Sequence, residues 1–445
     1  MAHSCSAERV ALIDTVPPDA NGAGAINLGL EVVRDHFATQ HGGCDVYSWE
    51  DTIDVSRYGR LAFNIFYPLH LFNAVSFFVR NRLPLRASDR TIPTEAGGQG
   101  VSNLRGIATP MFDSIFLGEL DGTVEKRYGF LRATELVSRP ILRERKANIE
   151  LTRGCRYRCG FCEYAHVGGG PYREKALDLV IAQIEEVLAQ GIRNINLMTI
   201  NIAGYSQVDA LLEFCQSRRV NLMTADIAYQ DFQRIVPWLP YVGRGQVRMG
   251  VESWDETTRA RIRKPISDDD LDAMIRQICE IAGMMHFYVI YGLANDNYEA
   301  WLQWVERLAA IRRAFTTPVS TLFGVTHQPT KPLRFEVSMT NFEPCFRTPL
   351  AGDPPIREFT EKRSFLQHWV AALRQHGFIT RQDGPIVGRF GKGEPSYRTL
   401  LLLKHADERA FDALASSFPK GIRKAPAERE CWRFIERAER ALAES

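Results

Sequence analysis

The chain has 445 residues, of which 45% are hydrophobic and 24% charged, and its formal net charge is +2. This balance excludes a wholly disordered chain, a collagen-like repeat and a disulfide-dense miniature scaffold, and net charge alone points to no partner. The opening MAHSCSAERVALID lacks a basic-then-apolar leader, and no run of 18 apolar residues occurs. A cytoplasmic protein with no membrane span is therefore expected.

In chain order, RVALID (9–14) is a short apolar run suited to a buried strand. The pattern INLGLEVVRDHF is helical, GCDVYSW and GRLAFNIFY suit strands, and PLHLFNAVSFFVRN suits a helix. IPTEAGGQG and SIFLGELDG end in glycines, as strands feeding loops often do. Strands alternating with helices predict a small Rossmann-like α/β domain over 1–122. Residues 123–146 are charged and aperiodic, and read as a linker.

From Ala147 the alternation becomes regular. ANIELT, RNINLMTIN, VNLMTADIA, GQVRMGVESW and MMHFYVIYGL are strand candidates, each followed by an amphipathic helical stretch. TPVSTLFGV is expected as the sixth strand. Six β/α units predict an α/β fold built as a partial (β/α)6 TIM-type barrel over 147–330. A mixed C-terminal extension over 331–445 is expected to bind or cap substrate, with helices near 361–377 and 426–443 and a glycine-rich loop between them.

Three of the nine cysteines fall in RGCRYRCGFCE, as Cys155-x3-Cys159-x2-Cys162, directly after the first barrel strand. The other six are scattered singly, which argues against a disulfide framework. A structural zinc site needs four ligands, and only His166 is near enough in sequence to be a fourth. Three thiolates on one loop instead suit three corners of a cubane iron–sulfur cluster, leaving one iron open to a ligand. Arg153, Arg156 and Arg158 surround the cysteines, and positive charge favours thiolate.

The CxxxCxxC motif, with Phe161 before its third cysteine and a β/α series behind it, resembles the radical S-adenosylmethionine (SAM) superfamily over roughly 145–330. The resemblance implies a 4Fe-4S cluster on Cys155, Cys159 and Cys162. It implies SAM chelated at the open iron, reductive cleavage to a 5′-deoxyadenosyl radical, hydrogen abstraction from substrate, and a flavodoxin- or ferredoxin-type electron donor. It assigns no catalytic side chain. At the end of strand two, where the family places a Gly-Gly-Glu-like segment, LMTINIAG offers Thr199 or Asn201 in place of the acid. GVESW matches the family's strand-four pair as Glu252 and Ser253. Asp226 ends strand three, RIRKP supplies Arg263 and Lys264 as carboxylate partners, and FYVIYGL keeps Ile290 and Gly292 against adenine but lacks the first glycine.

The N-terminal order resembles the cobalamin-binding domain fused to one branch of that superfamily, through IPTEAGG and FDSIFLGELDG. No Asp-x-His-x-x-Gly occurs, and His70 lacks the companions of a cobalt ligand, so cobalamin is a possible cofactor of a degenerate domain. Cys5, Cys44, Cys345 and Cys431 are too few and too dispersed for a second cluster. That leaves redox-neutral radical work or cobalamin-assisted methylation. Residues 311–445 carry 22 Lys and Arg against 15 Asp and Glu. Phe342, Phe346, Trp369, Phe378, Phe390 and Tyr397 are interleaved among them. This basic, aromatic third favours an isomerase or mutase acting on a nucleobase-linked or modified-DNA side chain. The alternatives are a cobalamin-dependent methyltransferase of a small molecule and a non-catalytic iron–sulfur or zinc protein.

Overall fold

A computed structural model describes residues 9–16, 28–66, 70–103, 110–119, 124–127, 130–133, 136–137, 139–143, 145–168, 171–222, 225–242, 246–315, 320–322, 325–327, 333–342, 348–353, 359–382 and 411–412. The chain divides into two compact units, 1–135 with 385–445, and 136–384.

The first unit holds a five-stranded parallel sheet. Its strands are Val10–Asp14, Cys44–Ser48, Arg60–Asn64, Thr94–Gly97 and Ser114–Ile115, in spatial order 2-1-3-4-5. Helices Leu28–Gln40 and Leu71–Arg80 connect them. The first strand is almost wholly enclosed, as parallel strands covered on both faces are. Phe63, Phe77, Phe78 and Phe112 form a tilted and edge-to-face cluster in the core. Phe411 is buried in the same core, beneath the Arg86 guanidinium at 4.9 Å. In this strand order the direction of winding reverses between strands one and three, where doubly wound sheets open a crevice. Asp14 and Asn64 end those two strands, and Asn64 donates to Asp14 Oδ1 at 3.2 Å. His70 is completely enclosed at the start of the second helix.

The second unit is a parallel β/α array. Strands Lys146–Glu150, Asn194–Met198, Val247–Glu252 and Met284–Tyr291 lie where the sequence places them. The third strand is described in two pieces, Asn221–Leu222 beside strand two and Ala225–Asp226 beside strand four. Helix Leu177–Ala189 stops before Gly191, whose φ of +75° only glycine adopts freely. Helix Asp268–Cys279 starts on Ser267, which accepts the Asp270 N–H at 3.0 Å.

The sixth strand is not TPVSTLFGV. Ser320–Leu322 and Val325–His327 pair antiparallel with each other, and Arg334–Asn341 takes the sixth place, parallel to strand five along its whole length. Ile379–Gln382 adds a seventh parallel strand, after helix Phe359–Gln375. The boundary expected at 330 thus falls inside the second unit. The region read as a linker holds an antiparallel hairpin, 124–127 with 130–133, and a short strand, Ile141–Arg143, antiparallel to the first barrel strand. The expected helix at 426–443 lies outside the described residues, as does most of the glycine-rich loop. No helix among the described residues is long and apolar enough to cross a membrane.

Alternate strand residues such as Val247, Met249, Met285, Phe287, Phe335 and Val337 join the core beneath the helices. The residues between them face the barrel interior. Register places Asp226 beside Arg248, Arg248 beside His286, and His286 beside Glu336. The interior therefore carries a row of polar side chains across four adjacent strands. His286 lies 2.8 Å from Ser338 Oγ and 2.9 Å from Gln246 Nε2, and its ring stacks on Tyr288 at 4.4 Å.

Candidate active site at the cysteine loop

The cysteine loop leaves the first strand through Gly154, at φ +82°. A Cβ there would strike the Pro171 carbonyl oxygen at 2.4 Å, so only glycine fits. Its N–H donates to Tyr164 Oη at 3.0 Å. Two clamps then hold the loop. On one side, Asp231 Oδ2 accepts from both Tyr157 Oη and Asn201 Nδ2, the latter at 2.7 Å. On the other, Gly160 donates to the Ile262 carbonyl at 2.7 Å and accepts from the Leu350 N–H at 3.1 Å. Arg261 anchors that second clamp through Asp353 at 2.6 Å and the Ala294 carbonyl at 2.9 Å.

Cys159 is buried, and Cys155 and Cys162 are half-buried. Burial pushes all three thiols up. Against it, the Lys264 ammonium pulls Cys155 and Cys159 down. Backbone N–H groups of Tyr157 toward Cys155, and of Ala165 and Tyr164 toward Cys162, also favour thiolate. The cation acting on the thiols is thus Lys264 and not the loop arginines. Arg153 is spent on Glu150, by two bonds of 2.7 and 2.8 Å, and Arg156 on Glu174 at 2.7 Å; Arg158 is exposed.

Each thiol feels a neighbouring one electrostatically. Yet among the described residues no three His, Cys, Asp or Glu side chains gather as ligands of a single ion. His166 Nε2 lies 3.1 Å from the Cys159 carbonyl oxygen.

The other expected residues divide into two groups. Glu252 and Lys264 face each other at 2.7 Å beside the loop, both nearly buried. Glu252 holds φ +68°, a left-handed conformation costing a non-glycine residue about 1–2 kcal/mol. Phe161 and Ile290 pack together against Ile262, Leu293, Phe342 and Leu350, an apolar wall next to the cysteines. Asp226 faces the barrel interior and pairs with Arg248 at 2.8 Å; burial still pushes its carboxyl up. Arg263 is exposed at φ +61°.

The remaining expected residues are committed to the scaffold. Ser253 is fully enclosed and donates to Asp296 Oδ1 at 2.7 Å. Asn201 uses its amide on Asp231 and its Oδ1 on the Ala228 N–H at 3.1 Å. Thr199 lies 2.7 Å from Thr152 Oγ1. Sequence reasoning missed Tyr157, Tyr229, Asp231, and the turn Thr348–Asp353. The aromatic residues of the loop were its one legible signal for a nearby polar partner.

The radical SAM superfamily model matches residues 149–308. Two curated tRNA-2-methylthio-N(6)-dimethylallyladenosine synthases, from Psychrobacter arcticus and Psychrobacter cryohalolentis, are each 26% identical over 199 residues, covering 43% of this chain and 35% of theirs. The chain thus spans about a third of the length of these relatives. Among solved structures, the radical S-adenosylmethionine methyltransferase TsrM of Kitasatospora setae, with cobalamin and a [4Fe-4S] cluster bound, aligns over 98% of this chain and 100% of its own, with a TM-score of 0.53 and 12% identity. The cobalamin-dependent radical enzyme OxsB aligns over 98% of this chain and 72% of its own, with a TM-score of 0.50 and 12% identity. Residues 149–308, which carry the cysteine loop, thus match the radical SAM superfamily, and a Rossmann-like parallel sheet precedes that domain in the sequence.

Proposed function

We propose that the chain is a cobalamin-dependent radical SAM methyltransferase. The observation that carries this reading is one chain joining a parallel sheet of order 2-1-3-4-5 to a radical SAM barrel, an arrangement matched end to end by TsrM. Cys155, Cys159 and Cys162 would hold a 4Fe-4S cluster, and the cluster with SAM would supply a one-electron cleavage and a carbon radical. Lys264 and Glu252 sit beside the cysteines as an ammonium and a carboxylate suited to the charged ends of a methionyl group. Phe161 and Ile290 offer an apolar wall for a flat ring and help exclude water. Asp226 and Arg248 present hydrogen-bonding groups in the barrel interior.

In the first unit, cobalamin would take the crevice where the winding reverses, beside Asp14, Thr15 and Asn64. The loop there is tight: Gly98, at φ +105°, brings its backbone so near the Ile65 carbonyl that a Cβ would lie 2.5 Å from that oxygen. His70 lacks the Asp-x-His-x-x-Gly companions of a lower cobalt ligand.

The rearrangement of a nucleobase-linked substrate finds less support. Phe342, Trp369 and Phe378 are buried packing residues. Phe346, Phe390 and Tyr397 lie outside the described residues.

The experiment is anaerobic reconstitution of protein from cells grown with cobalamin, then incubation with S-(methyl-d3)-adenosylmethionine and reduced flavodoxin. About four irons per chain and a cobalamin absorption band are expected, together with passage of the deuterated methyl group from SAM to the reduced cobalamin, which leaves S-adenosylhomocysteine. Cys159→Ala should lose most of the iron and all 5′-deoxyadenosine release. Wild-type protein that takes up no iron, or a Cys159→Ala variant that still cleaves SAM, rules the reading out.

A further inference from the structure

Tyr229 lies in the turn after the third strand, between Ala228, whose N–H is bound to Asn201, and Asp231, which holds the cysteine loop. Its hydroxyl oxygen is buried and has no hydrogen-bond partner among the described residues. Leaving a buried hydroxyl unpaired costs about 1–3 kcal/mol, and native proteins do so rarely. The other tyrosines around the loop are all engaged. Tyr157 donates to Asp231, Tyr164 accepts from Gly154, and Tyr172 donates to Glu174 at 2.6 Å.

The surroundings of the unpaired hydroxyl belong to the cysteine site. The Tyr229 ring centroid is 6.0 Å from Lys264 Nζ. Burial pushes its phenol up, followed by the charge of Cys159 and, further down, that of Glu252. The O–H needs an acceptor, and of the two charged neighbours Glu252 is already paired with Lys264 at 2.7 Å, which points the hydroxyl to the sulfur of Cys159.

We propose that Tyr229 donates a hydrogen bond to the sulfur edge of the cluster on the Cys159 side. The inference rests on the cysteines being an iron–sulfur ligand set. Hydrogen bonds to cluster sulfurs stabilise the reduced, more negative state and so raise the reduction potential. Tyr229 is in this sense a tuning residue, placed by the turn that also holds the loop through Asp231.

The test is Tyr229→Phe, which keeps the ring and removes the donor. Both proteins are reconstituted anaerobically, their iron is counted, and their midpoint potentials are read by electron paramagnetic resonance without SAM. Equal iron with a potential displaced to more negative values in the variant is expected. In the reduced wild type, an exchangeable proton coupled to the cluster should vanish in D2O and be missing from the variant. Equal potentials overturn the proposal. So does a shift seen only with SAM present, which would make the SAM carboxylate the acceptor. Should the variant not load iron, the wild-type proton coupling decides: its absence overturns the proposal. Wild-type protein that takes up no iron is a different result, one that overturns the ligand set itself and this inference with it.

Discussion

Lys264 Nζ donates to Glu252 Oε1 at 2.7 Å across the face of Gly250. A Cβ on residue 250 would lie 2.3 Å from that oxygen and 2.8 Å from the ammonium. Gly250→Ala should therefore push the pair apart. A loss of about 1–3 kcal/mol of stability is expected, together with weaker SAM binding. Thermal unfolding and calorimetric titration of SAM into reconstituted protein measure the two effects separately.

Asp231 satisfies two donors at once, Tyr157 and Asn201. Asp231→Ala leaves both unpaired in a part-buried setting, at about 1–3 kcal/mol for each donor that water does not reach. Because Tyr157 lies between Cys155 and Cys159, iron retained after reconstitution should drop along with stability. Asp231→Asn, which keeps one acceptor oxygen, should retain more iron than Asp231→Ala. Equal iron in all three proteins would show that the loop does not depend on this clamp.

The opposite clamp is lighter. The Arg261–Asp353 pair is partly exposed and worth about 1 kcal/mol or less. Asp353→Ala should leave the melting temperature nearly unchanged. It should loosen the turn whose Leu350 covers Gly160, so that air bleaches the cluster faster than in wild type. The decay of cluster absorbance after exposure to oxygen reads this directly.

Asp296 supplies a pH signature. Burial pushes its carboxyl up to about 6, Asp255 adds to the effect, and the Ser253 and Trp301 donors oppose it. Its folded pKa thus lies above the unfolded one. The stability it contributes is complete below the ordinary carboxylate range and is lost as pH rises through about 6. Asp296→Asn removes that loss and keeps an acceptor for Ser253. The variant should melt at a higher temperature than wild type above pH ~6, with the gap closing toward pH ~4. A gap independent of pH would refute the assignment.

Much of the candidate site is visible in the sequence because its residues are neighbours there: Cys155, Cys159, Cys162 and Phe161 fall within eight residues. The first five barrel strands were legible from apolar runs of strand length. The sixth was not, although RFEVSMTN alternates polar and apolar residues at a strand's period of two, because the proline-rich sequence on both sides of it reads as irregular chain. Ser253 matched a family motif, yet its hydroxyl is turned onto Asp296, a contact 43 residues away. Asp231, Tyr229 and Asp353 likewise act across distances in the chain that no local pattern records.

The row of Asp226, Arg248, His286 and Glu336 ties neighbouring strands together through side chains as well as backbone. Asp226 is paired with Arg248, His286 with Ser338 and Gln246, and Glu336 with Arg381. Removing one member strands its partner in a buried setting, at about 1–3 kcal/mol for each group left unpaired. The polar row is thus a set of mutual obligations, and a change in one strand is felt in the next.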